Sequence, residues 1–189
     1  KLYKIIHEMM NSRVLNVYDF DDTLAHTDSI VKLKRSGQDI SLDSHQFADY
    51  AWQQGDELDF SDFERVNGKI ISNPMFHLNK LQKKGEEVII ITARPPEAIR
   101  DLKEFFHSNG MQAPTIYATA GSSGKPQALI KHLSKGNYHR VVLWEDSIEN
   151  IEMLKTTTEN QGLQFDAILI EPDTTMRKVY ETNKKDDTL

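Results

Sequence analysis

The feature that most constrains the fold is a regular alternation of short apolar strands and helical segments between residues 72 and 170. The clearest strand, Val88-Ile89-Ile90-Ile91, is β-branched throughout, as is typical of a strand buried on both faces. Serine or proline opens the helical segments and glycine ends several of them. This alternation predicts an α/β fold, a Rossmann-like, doubly wound parallel sheet with helices on both faces.

The expected elements have definite bounds. Strands are predicted over residues 13–18, 88–91, 115–118, 140–144 and 166–170. Helices are predicted over residues 74–84, with Ser72 as the cap, and over residues 97–109, 126–135 and 148–160.

Residues 25–72 interrupt the alternation, because no strand–helix unit is recognisable in them. Residues 41–52 predict a helix, and residues 56–64 are acidic and aromatic. We interpret the segment as a small helical insertion after the first strand, a small cap or substrate-facing segment within one domain over residues 1–189. Its Lys32, Lys34 and Arg35 could track a nucleic-acid backbone, or could belong to a solvated loop.

The composition narrows the classes of function. A net charge of -6 over 189 residues disfavours tight, nonspecific binding of nucleic acid. Because the chain has no cysteine, disulfides, thiolate metal sites and cysteine nucleophiles are excluded. No apolar run reaches the roughly 18 residues of a membrane span, and no secretory signal is visible. We therefore expect a cytoplasmic protein without a membrane partner.

Ligands of parallel α/β sheets bind beyond the carboxyl ends of the strands, so the residues there are the candidate site. The first strand is followed by Asp19, Asp21 and Asp22. Three neighbouring carboxylates are electrostatically costly unless a cation lies beside them. A calcium-binding loop is excluded, because Leu24 and Ile30 stand where that loop needs glycine and a bidentate glutamate. The structural alternative is an Asp-rich turn that caps a helix.

The later strand ends carry further polar residues, namely Thr92 and Arg94, Lys125, and the pair Glu145-Asp146. Lys125 follows a glycine- and serine-rich turn, residues 121–124, which can present amides and an ammonium group to a phosphate. The turn is not a Walker loop, because Pro126 follows the lysine. Taken alone, Thr92 is an ordinary strand-end residue and Asp146 could cap the next helix.

Together, these strand ends resemble the four motifs of the haloacid dehalogenase (HAD) superfamily of phosphotransferases, in the right order. The matching residues are Asp19-x-Asp21-x-Thr23 for the first motif, Thr92 for the second, Lys125 for the third and Glu145-Asp146 for the fourth. The resemblance covers residues 14–170. Asp22 departs from the pattern, because many members carry glycine there. The uncapped or small-cap build is somewhat similar to that of polynucleotide 3'-phosphatase domains.

The resemblance implies a magnesium-dependent phosphatase that forms an aspartyl-phosphate on Asp19. It assigns the Mg²⁺ ligands to Asp19, the Asp21 carbonyl and Asp146, with Glu145 beside the ion or bound through water. Asp21 would protonate the leaving oxygen and then deprotonate the attacking water.

The same resemblance assigns Thr92 and Lys125 to the equatorial phosphate oxygens. Thr23 and Arg94 are the expected substrate-binding residues. Thr23 would orient Asp21 or support its loop, and Arg94 would reach a second phosphate. For Arg94, a surface salt bridge is the alternative.

The expected partner is a phosphorylated substrate, and an open site would admit nucleic-acid or nucleotide 3'-phosphates. Two alternatives stand beside this reading. One is a phosphatase of a small metabolite, and the other is a phosphate-binding interaction module without turnover.

Overall fold

The structure of the protein, a computed structural model, describes residues 12–43, 46, 50–51 and 53–182. The described strands are β1 (Arg13–Tyr18), β2 (Ala25–Thr27), β3 (Val31–Arg35), β4 (Gln38–Leu42), β5 (Glu57–Asp59), β6 (Gly68–Ile70), β7 (Glu87–Thr92), β8 (Thr115–Ala118), β9 (Tyr138–Glu145), β10 (Gln164–Ile170) and β11 (Met176–Tyr180). The described α-helices are α1 (Ser72–Lys83), α2 (Ile99–Ser108), α3 (Lys125–Leu133) and α4 (Ile148–Asn160).

A six-stranded sheet forms the centre of the molecule, in the order β11-β10-β9-β1-β7-β8. Its neighbours are parallel except for β11, which runs antiparallel to β10. The chain moves from β1 outward to β8, and then returns to build β9 and β10 on the other side of β1. Because the direction of winding reverses between β1 and β9, the carboxyl ends of these two strands border a crevice where ligands bind in such sheets.

Helices cover both faces of the sheet. Residues of α3 and α4, such as Leu129 and Ile151, pack with Val17 and its neighbours in one apolar core. Residues of α1 and α2, such as Leu78 and Phe106, form a second core on the opposite face. The strands alternate between these cores, as a sheet buried on both sides requires. The predicted α/β architecture with a mostly parallel sheet is therefore confirmed.

The predicted bounds agree with the structure at β1, β8 and α4, which have the predicted residues. The other predicted strands and helices occur with shifted ends. Ser72 is not a cap, because it is the first residue of α1 and Ile71 occupies the capping position without a side-chain hydrogen bond. The antiparallel strand β11 was not predicted.

Within the described residues the insertion is built mainly of strands, so the expected helical insertion is wrong there except at Gln46, which is α-helical. Between residues 25 and 71 the chain forms a two-stranded sheet, β2-β6, a three-stranded sheet, β4-β3-β5, and a 3-10 turn, Ser61–Glu64. The helix predicted over residues 41–52 begins inside β4 instead, since Ser41 and Leu42 are the last residues of that strand. Residues 44–45, 47–49 and 52 of this prediction lie outside the described residues.

The hairpin β3-β4 has a local cause in the sequence. Val31 and Leu33 are buried while Lys32 and Lys34 are exposed, which is the two-residue period of a half-buried strand. The connecting residues Ser36 and Gly37 have φ of 49° and 78°, the left-handed conformation of a two-residue hairpin turn.

The candidate basic patch of the insertion is balanced by acidic side chains. Lys32 lies opposite Asp59, and Lys34 lies opposite Glu57, in the β3-β5 register. Arg35 pairs with Asp56, with an Nε–Oδ1 distance of 2.8 Å. Mixed charges of this kind do not form a positive track for a nucleic-acid backbone. Within the described residues, no helix combines the length and the apolar character needed to cross a membrane.

Gly68 allows the strands β2 and β6, at the base of the insertion, to approach each other closely. Its position in the β2-β6 ladder is so close to β2 that a Cβ atom would overlap the carbonyl oxygen of His26. We expect Gly68→Ala to lower the free energy of unfolding by about 1–3 kcal/mol, because backbone atoms must move apart. The change is measured by urea unfolding. Lys69→Ala, at the next and exposed position, is the control and should change stability by less than about 0.5 kcal/mol. Equal stability of the two variants would contradict this account.

Candidate functional site

A cleft of about 720 Å³ opens beside the carboxyl ends of β1 and β9. Six predicted site residues line it, namely Asp19, Asp21, Arg94, Lys125, Glu145 and Asp146. The remaining two, Thr23 and Thr92, are fully buried and are not among the lining residues. The insertion supplies further lining residues, among them Val31, Phe60 and Phe63.

The centre of the site is the ammonium group of Lys125. Its Nζ donates hydrogen bonds to Asp19 Oδ1 at 2.7 Å and to Glu145 Oε2 at 2.8 Å. All three side chains are almost inaccessible to solvent. Burial alone would lower the pKa of Lys125, but the charges of Asp19 and Glu145 raise it above the ordinary value. The lysine is therefore a permanent cation between two carboxylates.

Local backbone structure brings these groups together. β1 ends at Tyr18, and the amide of Asp19 donates to the carbonyl of Trp144 in β9 at 3.0 Å. Lys125 is the first residue of α3, immediately after the short turn Ser122–Gly124. Gly121 opens that turn with φ of 129°, which favours glycine. The predicted glycine- and serine-rich turn thus places both the lysine and the first turn of α3 at the cleft.

Asp19, Glu145 and Asp146 form a cluster in which one carboxylate oxygen from each lies within 4.8 Å of the others. Burial, and then the charge of Glu145, raise the pKa of Asp19 to about 8 and that of Asp146 to about 9. Lys125 supplies one positive charge against three carboxyl groups, so the cluster lacks compensating charge when ionised. Such an oxygen-only, buried and undercompensated cluster fits a hard divalent cation.

Neighbouring side chains fix the orientation of the acidic pair. Thr23 donates from its hydroxyl to Asp146 Oδ1 at 3.2 Å. Asn150 donates from Nδ2 to Glu145 Oε1 at 3.2 Å, and the amide of Ser147 donates to the same oxygen at 3.3 Å. Of the two roles expected of Thr23, orientation of Asp21 is not seen, because Thr23 donates to Asp146, and support of the loop stays a prediction.

Asp21 faces away from this cluster and is held by Arg94. The guanidinium donates from Nε to Oδ2 at 2.9 Å and from Nη2 to Oδ1 at 2.7 Å. Thr27 donates to Asp21 Oδ1 at 2.6 Å. The carboxylate of Asp21 still lines the cleft, and its side chain is 20% exposed. Asp19 and Asp21 thus line the same cleft but have different partners. Strand β1 ends at Tyr18, so the alternation of an extended strand does not continue through these two residues.

Arg94 also attaches the insertion to the site. Its Nη1 donates to the carbonyl oxygens of Phe63 at 2.8 Å and Arg65 at 2.7 Å. Its Nη2 donates to the hydroxyl oxygens of Thr27 at 3.1 Å and Ser29 at 2.9 Å. Every nitrogen of the guanidinium therefore has a protein acceptor, and the side chain is fully buried. A surface salt bridge was the alternative considered for Arg94. The structure instead contains a buried ion pair between Arg94 and Asp21.

The substrate-contact roles expected of Thr23, Thr92 and Arg94 stay predictions. The hydroxyl of Thr92 accepts a hydrogen bond from the amide of Arg94 at 3.3 Å, within the buried end of β7. Thr23 and Arg94 contact other protein groups, as described above. In this structure these three residues support the walls of the cleft.

Asp22, where the sequence departs from the resembled motif, adopts a left-handed backbone conformation. Its φ is 53°, in the left-handed region that favours glycine. Aspartate tolerates this region better than most residues, since its short side chain can bond locally. Here a carboxylate oxygen of Asp22 lies 2.9 Å from Nδ1 of His26.

Sequence reasoning placed the insertion beside the site but missed which of its residues contribute to it. Thr27 and Ser29 hold Arg94, and Phe60 and Phe63 line the cleft. The acidic and aromatic character of residues 56–64 was visible in the sequence. The contacts to Arg94 were not predictable, because residues so distant along the chain carry no shared local pattern.

The raised pKa values of Asp19 and Asp146 predict the pH dependence of the metal-free protein. An unfolded carboxyl group has a pKa near 3.8, so the folded state holds these protons more tightly. Between these values the folded state binds more protons, and its stability must therefore fall as the pH rises from about 4 to about 9. In Asp146→Asn this fall should be smaller. The variant should also melt about 3 °C higher than wild type at neutral pH, a gain of about 1 kcal/mol.

Thermal unfolding in the presence of a chelator measures both effects. Asp28→Asn, at an exposed position, is the matched control and should follow the wild-type pH profile. If the stability of Asp146→Asn changes with pH as that of the wild type does, the assignment of uncompensated charge to the cluster would be contradicted.

Arg94 and Arg100 form a matched pair for testing the buried ion pair. Arg94→Met leaves Asp21 and the two carbonyl oxygens of the insertion without their partner, and should cost about 3–5 kcal/mol of stability. Arg100 pairs with Asp101 while its side chain is 91% exposed, so Arg100→Met should cost less than about 0.5 kcal/mol. Urea unfolding compares the two variants, and similar small losses would show that the Arg94 network is not important for stability.

Comparisons with known proteins add no assignment to this geometry. No protein-family model matches the chain, and a search of curated proteins finds no significantly similar sequence. The resemblance to the HAD superfamily therefore depends on the motif residues and on their arrangement at the strand ends.

Proposed function

We propose that the protein is a magnesium-dependent phosphomonoesterase of the HAD type, with Asp19 as its nucleophile. The observation that carries this proposal is the meeting of Asp19, Lys125, Glu145 and Asp146 in one cleft at the carboxyl ends of β1 and β9. These residues come from three separate parts of the sequence and combine a carboxylate, a fixed cation and a cation-binding cluster. This is the set of groups that phosphoryl transfer to a carboxylate requires.

Asp19, Glu145 and Asp146 would hold the Mg²⁺ ion. When bound, the ion supplies positive charge that offsets the repulsion between the carboxylates and an anionic phosphate. The buried cluster supports this assignment, because burial and then the charge of Glu145 raise the pKa values of Asp19 and Asp146, and a bound cation would favour their ionised forms. Glu145 is the third member of the cluster, and whether it would bind the ion directly or through water stays a prediction.

Asp19 would attack the phosphorus atom with a carboxylate oxygen. The P–O bond to the leaving group breaks, and Asp21 gives its proton to the departing oxygen. Asp21 then removes a proton from water, which attacks the aspartyl-phosphate and restores the Asp19 carboxylate with release of phosphate. Lys125 would stabilise the negative charge on the transferring phosphoryl oxygens. Arg94 and Thr27 hold Asp21 at the cleft as a carboxylate, the form that accepts the proton from water. To act as the acid, Asp21 must first take up a proton at the expense of its ion pair with Arg94.

The turn before α3 supplies the anion-binding part of the site. Gly121, Ser122 and Lys125 line the cleft together. The first turn of α3 lies at the same place, and amides at a helix N-terminus favour a bound anion. These groups would bind the phosphate irrespective of the alcohol to which it is esterified.

Nucleic-acid or nucleotide 3'-phosphates stay proposed substrates. The acidic residues opposite Lys32 and Lys34 weigh against a long nucleic-acid track on the insertion. A terminal phosphate that enters the cleft needs no such track. A small-metabolite phosphatase uses the same chemistry and is the alternative within this class.

Release of phosphate from an aryl phosphate tests the chemistry. Wild type should be active only with Mg²⁺, and Asp19→Asn should lower kcat by about three orders of magnitude or more, because the nucleophile is lost. Lys125→Met should cost about a hundredfold to a thousandfold in kcat, since one charge that stabilises the transition state is removed. Lys131→Met, on the exposed side of α3, is the control and should keep wild-type activity.

Two outcomes would contradict the proposal. Turnover that survives Asp19→Asn in a folded protein would exclude Asp19 as the nucleophile. Absence of turnover of every phosphate ester tried, together with binding of inorganic phosphate, would instead favour a phosphate-binding module.

A further inference from the structure

The insertion gives the cleft an apolar wall that the proposed phosphoryl transfer does not use. Val31, Phe60 and Phe63 belong to this wall. Val31 is completely buried, whereas Phe60 leaves 42% of its surface exposed. A large apolar side chain that lines a cleft beside polar groups is typical of a ligand-contact surface.

The ring of Phe60 is presented on a fixed support. Phe60 precedes the turn Ser61–Glu64, and its carbonyl accepts from the amide of Phe63 at 2.9 Å. The rings of Phe60 and Phe63 lie 6.5 Å apart in an edge-to-face arrangement. Asp62 of the same turn accepts from the amide of Ile30 at 3.0 Å. Arg94 binds the carbonyl oxygens of Phe63 and Arg65, so the turn is tied to the guanidinium that also holds Asp21.

The cleft therefore combines two kinds of recognition within about 720 Å³. Lys125, Ser122 and the start of α3 suit an anionic phosphate, and Phe60 offers an aromatic surface on which a flat ring can stack. The volume falls within the range that small-molecule sites occupy, about 300–1,000 Å³. A phosphate ester of a small aliphatic alcohol would offer the ring of Phe60 no flat surface on which to stack.

We infer that Phe60 is the specificity-determining contact for an aromatic ring in the leaving group, so that the substrates are phosphomonoesters of ring-bearing alcohols. The inference depends on the proposed function for the position of the phosphate. Two sources share this chemistry, an aryl group esterified directly and the base of a nucleoside monophosphate. The experiment separates them.

The test compares kcat/KM for phenyl phosphate and for adenosine 3'-monophosphate with kcat/KM for glycerol phosphate. Phe60→Leu should lower the aromatic-to-aliphatic ratio by about tenfold for at least one of the two ring-bearing substrates, because stacking is lost. Phe60→Trp should keep the ratio or raise it. A fall with adenosine 3'-monophosphate alone assigns the surface to a nucleobase, and a fall with phenyl phosphate alone assigns it to an aryl group.

Phe76→Leu is the matched control, because Phe76 lies on α1, is 65% exposed and does not line the cleft. It should leave the ratio unchanged. A ratio that Phe60→Leu does not change, or that Phe76→Leu lowers equally, would overturn the inference.

A binding measurement separates failure of this inference from failure of the proposed chemistry. In an Asp19→Asn background with Mg²⁺, calorimetry gives Kd for adenosine 3'-monophosphate, phenyl phosphate and glycerol phosphate without turnover. Phe60→Leu should raise Kd about tenfold more for a ring-bearing ligand than for glycerol phosphate. An equal change for all three ligands overturns the inference even if the wild type is an active phosphatase. Loss of ring selectivity in a protein without turnover supports the inference and contradicts the phosphatase.

Discussion

The contact on which the site depends is the buried ammonium of Lys125 between Asp19 and Glu145. It joins the start of α3 to the ends of β1 and β9, so it fixes three elements at the point where the winding of the sheet reverses. Removing a charge from such a group is costly, because its partners stay buried without compensation. The same contact holds the proposed nucleophile in place before any ligand enters.

This arrangement carries opposing electrostatic demands. The lysine stabilises the ionised form of Asp19, while burial and the charge of Glu145 oppose it. Asp146 adds a third carboxyl group, and burial followed by the charge of Glu145 raises its pKa. A buried cluster of this kind could hold a further cation. The charge of Arg94 is balanced more simply. It pairs with the single carboxylate of Asp21 and donates its remaining hydrogen bonds to neutral oxygens.

The central sheet was predictable because its signals are local. The β-branched run of β7 and the strand–helix alternation depend on burial at successive positions, and α4 begins after a serine cap that the structure contains. The strand-end carboxylates and Lys125 followed from topology, since parallel strands bring their carboxyl ends together. The insertion was expected to be helical. Its β3-β4 hairpin nevertheless has a local signal in the sequence, the two-residue alternation from Val31 and the turn at Ser36-Gly37. The partners of Arg94 come from distant segments and had no sequence signal.

The attachment of the insertion has a consequence for how this fold could diversify. Arg94 binds the turn through the main-chain oxygens of Phe63 and Arg65, which every amino acid provides. Side chains in that turn can therefore be exchanged during evolution without loss of these two bonds. Selectivity for new ligands could arise by substitution at the rim, while Asp21 and its contacts with Arg94 are inherited unchanged.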